Sequence, residues 1–486
     1  MKRITLLLSA FIIAATAFAQ QPQRMDRPVL KRNSAASVEP RQLQTVERQS
    51  NLDDFDIAMR AAWKKADGIV EDILMNVRPI FEKKVITINI KDAKDATKVI
   101  NKAIVDVNKA GGGKVIIPQG EFYTAGITLL SNVNLHLEEG AVLKFFTDPQ
   151  KYLPAVLTAW EGLDCYNLRP LIYAYQQENI AITGTGTLDG QASNDNWWAW
   201  KSAKVEGKLP RQILDDWCDA NVPIEKRILN ADNKLRPPFI QPYQCKNVLI
   251  EGVTINRSPF WLIHPLMCEY VIVRGVKMDS NGPNSDGCDP ESSKNVLIED
   301  CYFNTGDDCI AIKSGRNDDG RRRKKASGNI VIRNCEMKDG HGGVVIGSEI
   351  SGDCQNVYVE KCTMDSENLD RVIRIKSNAV RGGVIEGLYV RNIKVGACKE
   401  AVLRVEMKYE KVTEGKNRPI VRDIYLENIS SKSSQYAIYL DGFKDGGKEI
   451  SNINLKNCSL RGIQEPSFNK IIGALDVNLI HCSFGY

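Results

Sequence analysis

The amino-acid sequence predicts an all-β protein, a right-handed parallel β-helix of about ten coils with a capping helix at its N-terminal end. Three observations predict this fold. A short strand-like unit recurs along the chain, one position of that unit is filled by Cys, Val or Ile in successive copies, and an amphipathic helical pattern precedes the regular repeats.

The repeat is clearest at Asn295–Cys301, where apolar residues follow a polar residue after one and three positions and Cys follows after six. Alternation with a period of two indicates a strand with one buried face. A unit this short cannot bury its apolar face alone, so the copies must stack as parallel coils, whereas a β-propeller is the structural alternative. Copies begin 23 to 36 residues apart, at Asn247, Tyr270, Asn295, Asn329, Asn356, Gly387, Asp423, Asn452 and Asp476.

Cysteine alternates with Val and Ile at the sixth residue after each start, which is the behaviour of a small buried hydrophobe. The chain has 13 cysteines, an odd number, and none forms a CxxC pair. We therefore expect an internal ladder of thiols rather than disulfides, a metal site or a redox site. The predicted ladder contains Cys301, Cys335, Cys362, Cys458 and Cys482.

Four segments precede or flank the repeats. Residues 1–19 combine a basic start, an apolar run and a small-residue cleavage site, which predicts a signal peptide and an exported protein, periplasmic or extracellular. Residues 20–50 resemble a flexible leader, residues 51–83 carry a helical pattern of unassigned role, and residues 84–486 are expected to form the β-helix. Within the last segment, the apolar spacing after Asp95 predicts the capping helix. Residues 150–240 are too long for a turn and are expected to pack over one side.

Composition restricts the partners. A hydrophobic content of 43% and a charged content of 26% are typical of a folded protein, and the net charge of +5 mildly favours an acidic partner. No later apolar run is long enough to span a membrane, and no nucleic-acid-binding motif is present. We expect a monomer that needs no cofactor or metal ion.

Register within the repeat predicts which polar side chains are neighbours. Aligning Ile312, Ile346 and Ile375 places Asp307 level with His341, and the spacing to Cys288 and Cys309 places Asp286 level with Asp307. The side chains that meet on one wall are then Asp286, Asp307, Asp308, His341, Arg374 and Lys376. Asp307 and Asp308 alone could be a solvated turn, but the recurrence of polar groups in register favours a site.

Crowded carboxylates suit glycoside hydrolysis. Mutual repulsion raises the pKa of one carboxyl group, so that it can protonate a leaving oxygen while another carboxylate acts on water or on the anomeric carbon. Cationic Arg374 and Lys376 beside them suit a substrate that has its own carboxylate.

The chain resembles family 28 of the glycoside hydrolases, the polygalacturonase family, over residues 84 to 486. The resemblance rests on Asn284-Ser285-Asp286-Gly287, Gly306-Asp307-Asp308, Gly340-His341-Gly342 and Arg374-Ile375-Lys376. It implies hydrolysis of α-1,4-linked galacturonic acid in pectin with inversion, with Asp307 as general acid and with Asp286 and Asp308 activating water. It also implies that His341 supports the acid and that Asn284, Arg374, Lys376 and Tyr409 bind the sugar. Ser285 departs from the commoner Thr.

Two alternatives stay open at this point. A rhamnogalacturonan hydrolase belongs to the same family, and a calcium-dependent pectate lyase shares the β-helix. The long segment 150–240 favours exo action, because inserted loops can close one end of a groove.

A basic run, residues 321–325, is either a solvated loop or a grip on an anionic chain.

Overall fold

The computed structural model describes residues 49–78, 81, 83–89, 94–443 and 448–486. The predicted signal peptide, residues 1–19, lies outside the described residues. The predicted leader, residues 20–50, lies outside them as well, except that the backbone of residues 49 and 50 begins the first helix.

The chain winds through three parallel sheets in each coil, so the prediction of a right-handed parallel β-helix is confirmed. The strands of the first sheet are Val85–Thr87, Gly113–Ile117, Val133–Leu137, Glu178–Gly184, Lys246–Glu251, Glu269–Arg274, Lys294–Glu299, Ser327–Arg333, Cys354–Glu360, Val384–Val395, Ile420–Ser431, Ile450–Lys456 and Ala474–Ile480. Its strands carry the repeat found in the sequence.

The second and third sheets complete each coil. The second sheet contains Gly120–Thr124, Ala141–Phe145, Thr187–Asp189, Thr254–Asn256, Lys277–Ser280, Tyr302–Thr305, Glu336–Met337, Thr363–Met364, Ser459–Leu460 and Ser483–Phe484. The third sheet contains Ile127–Thr128, Ile172–Tyr175, Ile240–Tyr243, Ile310–Ile312, Val344–Gly347, Arg371–Lys376, Ala401–Glu406, Tyr436–Asp441 and Asn469–Ile472. Single bridges through Ile263 and Cys288 join the strand Ile240–Tyr243 to Ile310–Ile312.

The polar residue that begins each repeat has a structural reason. Asn295, Asn329 and Asn356 all have a left-handed backbone, with φ between 53° and 58°, which Asn tolerates better than most residues. Their side-chain amides bond from coil to coil, Asn329 Nδ2 to Asn295 Oδ1 at 2.9 Å and Asn356 Nδ2 to Asn329 Oδ1 at 3.2 Å. An amide ladder therefore marks the turn into the first sheet.

The predicted cysteine ladder lies inside the helix. Cys301, Cys335, Cys362 and Cys458 are buried in the apolar core, whereas Cys482 is half-buried in the last coil. Every cysteine among the described residues is a free thiol. Burial raises the pKa of Cys335 well above its ordinary value, so this thiol is a packing group rather than a nucleophile.

Two helices pack on the β-helix at different places. Helix α2, Thr97–Lys109, turns Ile100, Ile104 and Val107 into the core and closes the N-terminal end, as predicted. Such a cap covers strand edges that would otherwise be open. Helix α1, Gln49–Asn76, lies instead along the outer face of the first sheet, which gives the helical pattern in residues 51–83 its packing role.

Aromatic side chains hold α1 in place. Tyr358, Tyr389 and Tyr425 stack on successive coils with centroid separations of 5.5 and 5.4 Å. Trp63 of α1 meets Tyr358 edge-on at 5.8 Å, and Phe55 meets Tyr425 at 5.6 Å. The outward stripe of tyrosines is therefore covered by the apolar face of the helix.

The predicted cover over one side is present at the third sheet. A hairpin of strands Val156–Trp160 and Leu163–Asn167 packs with helix α3, Pro210–Asp219, and helix α4, Asn317–Arg323, contributes to the same region. Short 3-10 turns at Pro149–Tyr152, Trp197–Lys201, Ile224–Lys226 and Ala231–Asn233 complete the cover, and another lies at Tyr409–Lys411. No helix among the described residues has the length and apolar character to cross a membrane.

Candidate active site

The polar wall predicted from the sequence is the outer face of the third sheet. The register pairs Ile312 with Ile346 and Ile346 with Ile375, as the sequence alignment predicted. The same register places Asp307 level with His341, and the His341 amide donates to the Asp307 carbonyl at 3.1 Å. Side chains far apart in sequence therefore meet on adjacent coils.

One register prediction was wrong by a single residue. Cys288 pairs with Ile310 rather than with Cys309, so Asp286 lies level with Asp308 and not with Asp307. The Gly287 amide donates to the Asp308 carbonyl at 3.0 Å, which fixes this register. The sequence alignment matched two cysteines by type, but backbone hydrogen bonding decides which residues are level.

Three aspartates nevertheless converge. Asp286, Asp307 and Asp308 each present a carboxylate oxygen, and these oxygens all lie within 4.8 Å of one another. Asp286 and Asp308 are buried, whereas the side chain of Asp307 is 17% exposed. Burial, together with the charges of Asp307 and Asp289, raises the pKa of Asp286 well above its ordinary value. Among the three aspartates, Asp286 therefore has the raised pKa, with burial as the first cause, whereas the resemblance implied Asp307 as the acid.

Asp307 and His341 form a hydrogen-bonded pair. His341 Nδ1 lies 2.9 Å from Asp307 Oδ1, and the imidazole is half-exposed. Burial raises the pKa of Asp307, but the hydrogen bond from His341 and the charge of Lys376 outweigh it and hold the pKa well below its usual range. The same hydrogen bond raises the pKa of His341. In the free site the proton of this pair therefore resides on the imidazole.

The charge of Asp308 is compensated by two cations of the strand Arg371–Lys376. Lys376 Nζ donates to Asp308 Oδ2 at 2.7 Å, and Arg374 Nη1 lies 3.9 Å from Asp308 Oδ1, which is buried with no hydrogen-bond partner in the structure. Tyr409 packs beside both cations, with its ring centroid 5.6 Å from Arg374 Cζ and 5.3 Å from Lys376 Nζ. The site thus combines acids, cations and one aromatic ring.

Asn284 is oriented by an arginine that sequence reasoning missed. Arg236 is buried, and its Nη2 donates to Asn284 Oδ1 at 2.7 Å while Nη1 donates to the carbonyls of Pro259 and Pro283. Burial lowers the pKa of Arg236 to about 10, against the opposing charges of Glu161, Asp307 and Asp286. Nothing in the local sequence indicated the bond between Arg236 and Asn284, because Arg236 lies in the inserted segment and not in a repeat.

A second buried carboxyl group was also missed. Asp289 is fully buried, both of its carboxyl oxygens have no hydrogen-bond partner in the structure, and burial raises its pKa well above the ordinary value. The Lys313 ammonium acts against this shift and bonds Glu349 Oε2 at 3.0 Å. Its position three residues after Asp286, two residues beyond the end of that motif, was a signal that could have identified it.

The basic run at residues 321–325 matches neither prediction fully. Residues up to Arg323 belong to helix α4, and the Arg323 guanidinium is buried in ion pairs with Asp164 and Glu291. Arg321 donates to the carbonyls of Val380 and Arg381. These two arginines join the cover to the β-helix and are not available to grip a substrate, because their donors are occupied.

The three aspartates are also the group among the described residues whose oxygens could hold a divalent cation. Carboxylate oxygens suit a hard cation such as Ca²⁺. Here, however, the Lys376 ammonium already bonds Asp308 and the His341 ring bonds Asp307. The charges of Asp307 and Asp308 are therefore compensated by side chains of the protein itself.

Known proteins share this chain's sequence and fold. The family model "Glycosyl hydrolases family 28" matches residues 153–472. A probable polygalacturonase of Vitis vinifera is 28% identical over 388 residues, 76% of this chain and 71% of the relative. An endo-polygalacturonase of Pectobacterium carotovorum subsp. carotovorum is 29% identical over 381 residues, 76% of this chain and 85% of the relative.

A solved structure extends the comparison. The crystal structure of a hyperthermoactive exopolygalacturonase from Thermotoga maritima is 37% identical to this chain, with a TM-score of 0.79 over 85% of this chain and 96% of that one. Sequence, fold and carboxylate cluster agree, and the chain belongs to family 28 of the glycosyl hydrolases.

Proposed function

We propose that this glycoside hydrolase is an exported polygalacturonase that cleaves α-1,4-linked galacturonic acid with inversion and releases units from a chain end. The observation that carries the proposal is the position of Arg374 and Lys376 directly beside the three clustered aspartates. A neutral sugar would gain little from two buried cations at the cleavage point, whereas the carboxylate of a uronic acid would pair with them. Relatives named as polygalacturonases support the same substrate class.

In the proposed mechanism, Asp307 protonates the glycosidic oxygen as the bond to the anomeric carbon breaks. Asp308, which is paired with Lys376, accepts a proton from the water molecule as it attacks that carbon, and Asp286, whose pKa is raised, orients this water by a hydrogen bond. His341 is the reservoir for the acid, because the shared proton resides on the imidazole in the free site. When a substrate excludes water from the half-exposed pair, the separated charges become less favourable and the proton moves to Asp307.

Sugar binding is assigned to the residues around the cluster. Arg374 and Lys376 pair with the uronate carboxylate, and Tyr409, which packs beside both, covers the sugar. Asn284, fixed by Arg236, lies on the opposite side of the aspartates from these cations in chain order and binds the preceding sugar. The site is therefore built to hold a sugar on each side of the cleaved bond.

A retaining mechanism is the alternative that one distance favours. Retaining enzymes hold their two carboxyl groups roughly 5–5.5 Å apart and inverting enzymes roughly 6.5–9.5 Å apart. The aspartate oxygens here lie within 4.8 Å of one another, which is nearer the retaining value. Proton NMR of the first-formed product decides between them: β-anomer supports inversion, and α-anomer overturns it.

Exo action is supported by the cover over the third sheet. The hairpin Val156–Trp160 and Leu163–Asn167 covers the outer face at the coils that precede the aspartates, and helices α3 and α4 pack against this hairpin. A groove closed at this end admits a chain terminus but not the middle of a polymer. Both exo and endo relatives are known, so the proposal depends on this cover rather than on similarity.

Chromatography of early products from long polygalacturonate tests the proposal. We expect one short product from the start and little loss of viscosity. A ladder of oligomers at low conversion would show endo action. Hydrolysis of rhamnogalacturonan in preference to polygalacturonate would favour the other branch of the family, and an unsaturated product abolished by a chelator would indicate a lyase.

A further inference from the structure

A cavity of about 170 Å³ lies in the cover beside the aspartates. Its walls include Trp160, Trp200, Lys201, Arg211, Lys234 and Arg236. Arg236 connects it to the candidate active site, because this residue lines the cavity and its guanidinium bonds Asn284. The cavity is therefore next to the groove, on the side of Asn284.

The charges in this cavity are unbalanced. Four cationic side chains and one carboxylate, Glu161, line it. Glu161 is itself engaged, with Arg316 Nη1 at 3.4 Å and Arg211 Nη1 at 3.6 Å. The lining residues thus carry a net positive charge, four cations against one carboxylate.

The cations differ in what they can offer a ligand. Arg211 is bound to Glu410 at 3.0 Å, and the Arg236 donors already bond carbonyls and Asn284. Lys201 and Lys234 have no carboxylate within ion-pair distance in the part of the chain that the structure describes, and the Lys234 ammonium lies 4.8 Å from the Trp200 ring centroid. Two lysines are therefore free to bind an anion.

Two tryptophans supply the apolar wall. The Trp160 ring is fixed by stacking on Phe260 at 5.0 Å and by donation from its Nε1 to the Arg236 carbonyl at 3.0 Å. Trp200 packs edge-on against Trp197 at 4.9 Å. Rigid aromatic faces of this kind provide apolar area at a low cost in conformational entropy and can pack against the hydrophobic face of a sugar ring.

We propose that this cavity is a subsite for the terminal hexuronate of the bound chain, with Lys201 and Lys234 pairing with its carboxylate and Trp160 and Trp200 contacting its ring. The inference rests on the proposed exo-polygalacturonase function and goes further by naming the residues that recognise the chain end. A single anionic sugar matches both the size of the cavity and its charge. Lys201 and Lys234 contact the terminal sugar and not the cleaved bond, so they are specificity residues and not catalytic ones.

The test replaces both lysines by glutamine, Lys201→Gln with Lys234→Gln, and measures kcat and KM on a galacturonate trimer. We expect KM to rise roughly fivefold to tenfold, because two partly exposed charge contacts are lost, while kcat stays within about twofold. The rise should shrink at high salt, since screening already weakens these contacts in the unchanged protein. Replacing both lysines by arginine keeps the charge and should restore most of the affinity.

The control is Lys204→Gln with Lys226→Gln, two exposed lysines of the same inserted segment that do not line the cavity. Equal KM values for the cavity variant and this control would overturn the subsite. So would an arginine variant as weak as the glutamine variant, because loss of charge would then not be the cause. If the unchanged protein released no galacturonate from any oligomer, the proposed function itself would fail, which is a separate outcome.

Discussion

Replacing Lys376 by methionine should destabilise the protein strongly, because it leaves a buried carboxylate without its cation. Asp308 is fully buried, and the Lys376 ammonium at 2.7 Å is its shortest contact with a positive charge. Burial lowers the pKa of Lys376, but the Asp308 carboxylate outweighs it and raises the pKa above its ordinary value. Arg374, at 3.9 Å, is a weaker second partner and is also bound to Glu406.

The magnitude follows from burial. Removing one partner of a buried ion pair typically costs about 3–5 kcal/mol, because an uncompensated charge remains in a poorly solvated site. The matched control is Lys399→Met, since Lys399 pairs with Asp370 at 3.3 Å but is 69% exposed. An exposed pair of this kind is worth about 0–1 kcal/mol. Lys376→Met should therefore lower the free energy of unfolding by about 3 kcal/mol more than Lys399→Met.

Urea unfolding followed by far-UV circular dichroism measures both variants, and Asp308→Asn completes a double-mutant cycle with Lys376→Met. The double variant should be more stable than Lys376→Met alone, because the unpaired charge is then absent. Equal losses for Lys376→Met and Lys399→Met, or no recovery in the double variant, would refute this account of the site.

Three further predictions concern the acid, its histidine and helix α1. Asp307→Asn should lower kcat by about 10²- to 10⁴-fold with little change in KM, because an amide cannot protonate the leaving oxygen. The control is Asp318→Asn at an exposed position. Full activity of Asp307→Asn would contradict the proposed mechanism. His341→Gln should lower the melting temperature most between about pH 4 and pH 6.5, where the imidazolium of His341 and the carboxylate of Asp307 coexist. The difference in melting temperature between this variant and the unchanged protein should fade as pH rises through the raised pKa of His341. It should also fade as pH falls through the lowered pKa of Asp307. A difference that is constant with pH would exclude this ion pair. Trp63→Ala should cost about 3–5 kcal/mol by leaving a cavity against Tyr358, whereas Ile57→Ala, an exposed position on the same helix, should cost little in the same urea titration.

Much of the fold can be predicted from short-range sequence patterns. The alternation at Val296 and Ile298, the asparagine that begins each repeat and the buried cysteine six residues later depend on local backbone geometry and on core burial, so they recur wherever a coil recurs. The same repetition predicted that Asp307 is level with His341, as the backbone hydrogen bond between them confirms. Sequence pattern failed at Asp286, where the register slipped by one residue, because hydrogen bonding between coils and not residue type sets the alignment.

The residues that sequence could not assign lie outside the repeat. Arg236 bonds Asn284 across 48 positions of sequence, and Arg323 reaches Asp164 across 159 positions. The basic run at residues 321–325 was compatible with a solvated loop or with a grip on a substrate, because its sequence does not show which residues it pairs with. The sequence also does not show that α1 packs on the outward stripe of tyrosines. By itself, then, the sequence determined the β-helix, its cap and the set of acids and cations on one wall. Only the tertiary structure decided which cations compensate which acid and which segments cover the third sheet, because those contacts join segments that no periodic pattern relates.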